Sequence, residues 1–174
     1  MTAAAPWPRA EALTTPRLVL EPLRPDHARE FAPVLADPGL QAFTGGEPAD
    51  EDDLRARFAR QSVGHSPDGV QGWLSWVARD RATHAPVGTV QATITGDQGV
   101  SSATLAWVVA TSRQGEGLAT EAARAVQLWL RAHGVTRFVA HIHPDHAASA
   151  AVARHLGLAV TDERWAGEIR WVGS

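Results

Sequence analysis

The chain changes character across residues 108–119, which read Val-Val-Ala-Thr-Ser-Arg-Gln-Gly-Glu-Gly-Leu-Ala. An apolar, β-branched run ends there, a short loop with two glycines follows, and an amphipathic run begins. Glycines allow backbone N–H groups to turn inward, and the N-terminus of a helix carries partial positive charge. The pattern alone fits either a plain tight turn or an anion cradle suited to a pyrophosphate.

Downstream of this loop the pattern predicts alternating helices and strands. Apolar residues recur at helical spacing, with a glycine after the last of them as a C-cap: Leu118, Ala122, Val126, Trp129, Leu130 and then Gly134. A short apolar strand over 136–142 and a helix from Pro144-Asp145 to about Leu156 come next. Val160 and residues 168–172 are expected to complete a sheet.

Upstream, three β-rich runs at 73–79, 86–95 and 102–110 predict consecutive antiparallel strands, because the connections are too short for crossovers. Residues 18–23 predict a further strand. Helices are expected over 26–36, ended by Asp37-Pro38-Gly39, and over 50–61, where an acidic start and a basic end suit the helix dipole. The fold class is therefore α/β, with a mixed sheet flanked by helices.

Length and composition bound the remaining possibilities. The chain has 174 residues, which fits one domain over 13–174 preceded by a flexible arm over 1–12. The net charge of −3 gives no reason to expect a nucleic-acid or membrane partner, and the absence of cysteine excludes disulfides and a cysteine nucleophile. Residues 1–10 do not resemble a signal peptide and no stretch has the roughly 20 apolar residues of a membrane span, so a cytoplasmic location is expected.

Two common nucleotide-binding loops do not fit residues 114–119. A Walker P-loop needs a lysine before its Ser or Thr, and this chain contains no lysine. A dinucleotide-binding fingerprint needs a third glycine and an acidic residue after the next strand, and the segment does not fit this pattern.

Three segments together resemble one enzyme family. The loop Gln114-Gly115-Glu116-Gly117-Leu118-Ala119 matches an acetyl-CoA signature of the form Gln or Arg, two residues, Gly, one residue, Gly or Ala. His146-Ala147-Ala148-Ser149 with Leu156-Gly157-Leu158 looks like the second motif of the same family, and Thr15-Pro16-Arg17-Leu18 is similar to its RimJ/RimL-like opening. The chain thus resembles the GNAT acetyltransferases over about Leu13 to Val172.

The resemblance implies a strongly twisted mixed sheet, antiparallel in its N-terminal half, with a splayed parallel pair at the site of acetyl-CoA. Backbone N–H groups from Gly115 to Ala119 would hold the pyrophosphate, while the Glu116 side chain points to solvent. A backbone N–H near Trp107 or Val108 would stabilise the oxyanion. The implied CoA-binding residues are Trp107, Val108, Val109, Gln114, Gly115, Glu116, Gly117, Leu118, Ala119, Thr120, His146 and Ser149.

The catalytic groups are less directly implied. Many family members place a tyrosine where this chain has Ala153, so Ser149 is the candidate acid, the alternative being a helix serine bonded to a backbone carbonyl. Glu168 is the candidate base, because the strand that often carries a glutamate reads Ser102-Ala103-Thr104 here, and a water chain is the alternative. His146 stands in place of the usual asparagine and is expected to contact CoA.

A metal site is the competing interpretation of His141, His143, Asp145 and His146, but no metal is expected, since the family uses none. The expected function is transfer of acetyl from acetyl-CoA to a primary amine, on a small molecule or a protein N-terminus, by direct attack in a ternary complex. The alternative is an acyl-CoA-binding sensor of the same fold without catalysis. A monomer or a homodimer is expected.

Overall fold

The computed structural model of the chain describes residues 7–44, 47–97 and 99–174. The strands are β1 (Leu13–Thr14), β2 (Leu18–Pro22), β3 (Gln71–Asp80), β4 (Pro86–Asp97), β5 (Val100–Val109), β6 (Arg137–Ile142), β7 (Ala159–Trp165) and β8 (Glu168–Gly173). The helices are α1 (Ala28–Leu35), α2 (Pro38–Thr44), α3 (Glu51–Gln61), α4 (Leu118–Ala132) and α5 (Ala147–His155), with short 3₁₀ turns at Pro25–His27 and Thr111–Arg113.

All of these strands join one sheet in the order β1-β2-β3-β4-β5-β6-β8-β7. Neighbouring strands run antiparallel except β5 and β6, which are parallel. The expected α/β fold, antiparallel in its N-terminal half with one parallel pair and helices at its faces, is confirmed.

The parallel pair separates along its length. Cα partners between β5 and β6 extend only from Ser102–Arg137 to Thr104–Val139. Both strands continue beyond this point, β5 to Val109 and β6 to Ile142, with β5 still paired to β4 and β6 still paired to β8. The carboxyl ends of the two strands therefore diverge and leave a gap in the middle of the sheet.

One face of the sheet packs on α4. Alternate side chains of β3, β4 and β5 point to this face, among them Leu74, Trp76, Val90, Ala92 and Leu105. They meet the apolar stripe of α4, where Leu118, Ala122, Val126 and Leu130 are at most 2% exposed. The apolar contact fixes α4, and with it the loop before the helix, against the gap.

The opposite face carries a smaller core beneath α1 and α3. Val77 of β3 packs with Phe31, Leu54 and Phe58, each of which is at most 1% exposed. Asp50 caps α3, since its Oδ1 accepts a hydrogen bond from the N–H of Asp53 at 2.8 Å. Farther along this face, the side chains of β3 and β4 become polar.

Gly88 permits a close approach between β4 and β5 beside the gap. A Cβ atom at this position would lie 1.9 Å from the carbonyl oxygen of Val108. The oxygen belongs to the backbone and cannot move aside like a flexible side chain. Only glycine is compatible with the observed spacing of the two strands.

A flexible arm is predicted over 1–12. Residues 1–6 lie outside the described part of the chain, whereas residues 7–12 make specific contacts with the rest of it. The Trp7 side chain packs directly on Gly72, since a Cβ atom at that position would lie 2.7 Å from the indole. The indole Nε1 of Trp7 donates a hydrogen bond to the Gly69 carbonyl at 3.0 Å. Nε1 of Trp76 donates to the carbonyl of Glu11 at 2.7 Å. The hydrogen bonds of the Trp7 and Trp76 side chains, together with the close packing of Trp7 on Gly72, hold this segment in place.

One helix differs from expectation. The helix expected over 26–36 is a 3₁₀ turn followed by α1, which ends at Leu35. It stops before Asp37-Pro38-Gly39 as expected, and Pro38 then begins α2, because a first helical turn tolerates the missing N–H of proline. Residues around Val160 form the full strand β7.

In the described ranges, no helix combines the length and apolar character that a membrane crossing requires.

Candidate functional site

The loop before α4 presents a row of unpaired backbone donors. Gly115 and Gly117 have φ angles of +80° and +79°, in the left-handed region that favours glycine. The first backbone N–H of the helix with an acceptor is that of Glu121, which donates to Gly117 at 3.1 Å. The N–H groups from Gly115 to Thr120 have no acceptor among the described residues. Six adjacent donors at the positive end of a 15-residue helix have the polarity and geometry that favour an anion.

The side chains of the loop stabilise this conformation. Nε2 of Gln114 donates to the carbonyl of Val109 at 3.1 Å, which joins the loop to the end of β5. The Glu116 carboxylate pairs with the Arg113 guanidinium at 3.1 Å, and the same guanidinium pairs with Asp80 at 3.1 Å. The Glu116 side chain is 42% exposed, as expected for a side chain that points to solvent, and it is also ion-paired.

Arg17 braces the loop from the N-terminal part of the chain. Its Nη1 donates to the carbonyl of Glu116 at 2.9 Å, and its Nε donates to Glu121 Oε2 at 2.7 Å. Glu121 also accepts from the Thr15 hydroxyl at 2.7 Å. Burial raises the pKa of Glu121, but the hydrogen bonds from Thr15 and Arg17 outweigh it and hold that pKa below its ordinary value. This brace is not apparent from the sequence pattern, although Thr15-Pro16-Arg17 lies in one of the segments on which the resemblance rests.

A cavity of about 580 Å³ begins at this loop and fills the gap between β5 and β6. Its walls are the start of α4, the ends of both strands, α5 and Phe43 of α2. All expected CoA-binding residues except Glu116 line it: Trp107, Val108, Val109, Gln114, Gly115, Gly117, Leu118, Ala119, Thr120, His146 and Ser149. Glu168 lines it as well.

Strand alternation distinguishes Trp107 from Val108. The N–H of Ala110 donates to Val87 of β4 at 2.7 Å, so the N–H of Val108, two residues earlier, points to β4 as well. The N–H groups of Trp107 and Val109 point the other way, to the gap, where β6 no longer pairs with β5. Of the two expected oxyanion donors, only the N–H of Trp107 faces the cavity.

His146 acts as the N-cap of α5. Its Nδ1 accepts from the N–H of Ser149 at 3.3 Å, and its ring stacks on Phe43 with centroids 4.1 Å apart. Burial, followed by the nearby charge of His143, lowers the pKa of His146. The neutral ring therefore serves as the hydrogen-bond acceptor that caps α5, at the position where the family motif usually has asparagine.

The two candidate catalytic side chains lie at the same cavity without internal partners. The Ser149 hydroxyl forms no hydrogen bond to a described residue, so the alternative of a bond to a backbone carbonyl is not observed there. The carboxylate of Glu168, at the start of β8, forms no ion pair or hydrogen bond within the described part of the chain. Ala153, where the family often has tyrosine, is fully buried.

The histidines near β6 do not assemble into a metal site in the described residues. No group of three or more His, Cys, Asp or Glu side chains converges there. His141 and His143 both line the cavity, but Asp145 is 86% exposed on its outer side. Each of the two rings packs on an aromatic neighbour, His141 on Trp165 and His143 on Phe43.

Comparison with known proteins agrees with this architecture. The family model described as "Acetyltransferase (GNAT) domain" matches residues 17–159. An acetyltransferase from Agrobacterium tumefaciens superposes with a TM-score of 0.72 at 23% identity, over 97% of this chain and 96% of the other. A search of curated proteins returned no significant match.

Two similar structures contain the coenzyme. RimL, a ribosomal L7/L12 alpha-N-protein acetyltransferase solved with coenzyme A, has a TM-score of 0.74 at 17% identity, over 94% of this chain and 97% of its own. The aminoglycoside acetyltransferase AAC(6')-Ib, also solved with coenzyme A, has a TM-score of 0.72 at 15% identity, over 90% and 94%. At these identities the likeness shows the fold alone. The family match covers most of the sequence, and the chain therefore belongs to the GNAT acetyltransferase family.

Proposed function

We propose that this protein transfers the acetyl group of acetyl-CoA to a primary amine by direct attack. The observation that carries the proposal is the row of six N–H donors from Gly115 to Thr120, which have no acceptor in the described part of the chain and open into the cavity between the diverging strands. The donors fit a pyrophosphate, and the gap beyond them fits the extended pantetheine arm. The exposed backbone of Trp107 and Val109 would pair with the amides of that arm, as an added strand would.

The chemistry requires a neutral amine, a stabilised oxyanion and a proton for the departing thiolate. The amine nitrogen forms a bond to the thioester carbonyl carbon, and the N–H of Trp107 donates to the oxygen as negative charge develops. Collapse breaks the carbon–sulfur bond. Ser149 passes its hydroxyl proton to the sulfur and regains one from water, and the proton lost by the amine passes to Glu168 directly or through water.

The experiment is an acetyl-transfer assay with a panel of primary amines, followed by release of the CoA thiol and by the mass of the product. Amide products resist hydroxylamine, whereas O-acetyl esters are cleaved, so this treatment separates N- from O-acetylation. Thiol release that requires an amine and yields a hydroxylamine-stable product is expected. Release only with hydroxyl acceptors would contradict the proposal.

A second candidate function follows from Ala153 and from the absence of a glutamate in Ser102–Thr104. A buried methyl group cannot deliver a proton, so a protein that binds acyl-CoA as a sensor without catalysis fits the same cavity. Acetyl-CoA binding with no thiol release across the amine panel would favour this sensor. Amine-dependent release would exclude it.

A further inference from the structure

A second cavity meets the first along β5. It has a volume of about 270 Å³ and shares Leu40, Ala106, Trp107 and Val108 with the cavity that begins at the loop. The Trp107 N–H that would hold the acetyl oxygen thus lies at the junction of the two. A group that enters through the second cavity reaches the segment where the acetyl carbon is proposed to lie.

The second cavity continues into a third beneath the C-terminal half of α3. The third has a volume of about 450 Å³ and shares Arg57, Gln61 and Gln91 with the second. We call these two cavities together the α3 groove. Its floor is the polar end of the sheet face, where Ser75 lies opposite Gln91 and Trp73 lies opposite Thr93.

The charge of the α3 groove is mainly positive. Arg57, Arg60 and His65 line it, and Glu47 is the single carboxylate among its described lining residues. Two members of the acidic run that follows Glu47 have local partners: Asp50 caps α3, and Glu51 pairs with Arg55 at 2.8 Å. The groove therefore suits a polycationic acceptor poorly.

Arg57 differs from Arg55, two positions earlier on the same helix. Arg55 has a carboxylate partner, whereas the Arg57 guanidinium has no hydrogen bond or ion pair among the described residues. Arg57 is a solvent-exposed residue that lines both cavities of the groove. Partial burial of its guanidinium, followed by repulsion from Arg60, lowers its pKa. One helical turn later, Oε1 of Gln61 is buried without a hydrogen-bond partner in the described structure. An arginine in this situation is suited to bind a planar carboxylate through two hydrogen bonds.

We infer that the acceptor amine also carries a carboxylate, which Arg57 binds in the α3 groove while the amine reaches Trp107. This inference rests on the proposed N-acetyl transfer and specifies its substrate class. The shared chemistry is an amine and a carboxylate joined by a short spacer. A free amino acid and a peptide with an acidic side chain near its N-terminus both provide it.

The test compares acceptors that differ only in that charge. One pair is 4-aminobutyrate and 4-aminobutyramide; a second is a tripeptide with aspartate at its second position and the same peptide with asparagine. The wild-type protein should show a kcat/KM at least about tenfold higher for the carboxylate member of one pair, equivalent to about 1.4 kcal/mol. The pair that responds identifies the source. Equal rates within both pairs, or a preference for the amides, would overturn the inference.

Two variants locate the effect. Arg57→Gln should remove the preference by lowering kcat/KM for the carboxylate acceptor alone, through a higher KM. Arg55→Gln, on the same helix, should leave both acceptors unchanged, as should the affinity of both variants for acetyl-CoA. Equal losses for both acceptors in Arg57→Gln would contradict a role in reading charge. If amines are acetylated without regard to the carboxylate, this inference alone fails; if acetyl-CoA does not bind, the proposed function fails with it.

Discussion

The Arg17 guanidinium contacts the Glu121 carboxylate across 104 positions of sequence, with Nε 2.7 Å from Oε2. The same guanidinium holds the Glu116 carbonyl in the glycine loop. The N-terminal segment before β2 is thereby joined to the first turn of α4. This contact stabilises the loop in the conformation that presents its N–H groups to the cavity.

Glu121→Gln tests whether this brace supports coenzyme binding. Loss of the charge weakens the bonds from Arg17 and Thr15, so we expect the free energy of unfolding to fall by about 1–2 kcal/mol and acetyl-CoA to bind several-fold more weakly. Urea unfolding and calorimetry measure the two effects. Glu51→Gln is the matched control, because it breaks the exposed Arg55 pair, and such a pair contributes only about 0.3–0.5 kcal/mol. Equal, small effects in both variants would contradict the claim that the contact between Arg17 and Glu121 supports coenzyme binding.

Ser149→Ala tests the proposed proton donor. The hydroxyl has no described partner to lose, so the fold and the acetyl-CoA affinity should remain unchanged, while kcat falls about a hundredfold. Ser149→Thr keeps a hydroxyl and should recover part of the rate. If the alanine variant keeps the full rate, Ser149 is not the proton donor, and water protonates the thiolate.

Gly88→Ala tests the close approach of β4 and β5. Its Cβ would meet the carbonyl oxygen of Val108 at 1.9 Å, so the strands must move and the free energy of unfolding should fall by about 3 kcal/mol. Gly96→Ala is the control on the same strand, since its nearest neighbour outside the adjacent residues is Trp7 at 3.7 Å. Denaturant midpoints compare the two, and similar values would contradict the steric argument.

The cap of α5 predicts a pH dependence of stability. The pKa of His146 in the folded protein lies below the ordinary value of 6.5, so the unfolded chain binds the proton more tightly. Stability from this group is complete above pH 6.5 and is lost as the pH falls below that value towards the folded pKa. The pKa of buried His27 is also lowered, and this residue contributes a pH dependence of the same sign. The part due to His146 is therefore isolated by comparing the wild type with a variant that changes His146 alone. His146→Asn keeps a capping acceptor, so its free energy of unfolding should fall less than that of the wild type between pH 7.5 and pH 5.5. Parallel pH profiles of the two proteins would show that His146 does not cause the pH dependence.

Much of the fold was predictable because local signals agreed with it. The glycines at 115 and 117, the apolar stripe of α4 and the acidic start of α3 each have a local cause, and the structure contains all three. The packed arm and the Arg17 brace were not predictable in this way. Trp7 lies against Gly72 and Arg17 against Glu121, and both contacts depend on tertiary packing rather than on neighbouring residues.

The site shows the same division. The loop that would hold a pyrophosphate follows from a motif, whereas the choice between Trp107 and Val108 depends on which way each N–H points in the ladder with β4. Sequence spacing does not determine that direction. The α3 groove was not predictable from the sequence, because Arg57 is one of several charged residues in a segment whose pattern is typical of a solvent-exposed helix.

The most direct test of the central claim is a calorimetric titration of wild type, Gly115→Ala and Gly134→Ala with acetyl-CoA, with ATP as a control ligand. Gly115 and Gly134 have φ angles of +80° and +88° and open space around a Cβ, so alanine strains both positions by about 1 kcal/mol, but only Gly115 lines the cavity. We predict micromolar acetyl-CoA binding by wild type and Gly134→Ala, at least tenfold weaker binding by Gly115→Ala, and no binding of ATP. Absence of acetyl-CoA binding, or equal affinity in all three proteins, would contradict the assignment of this loop and cavity to the coenzyme.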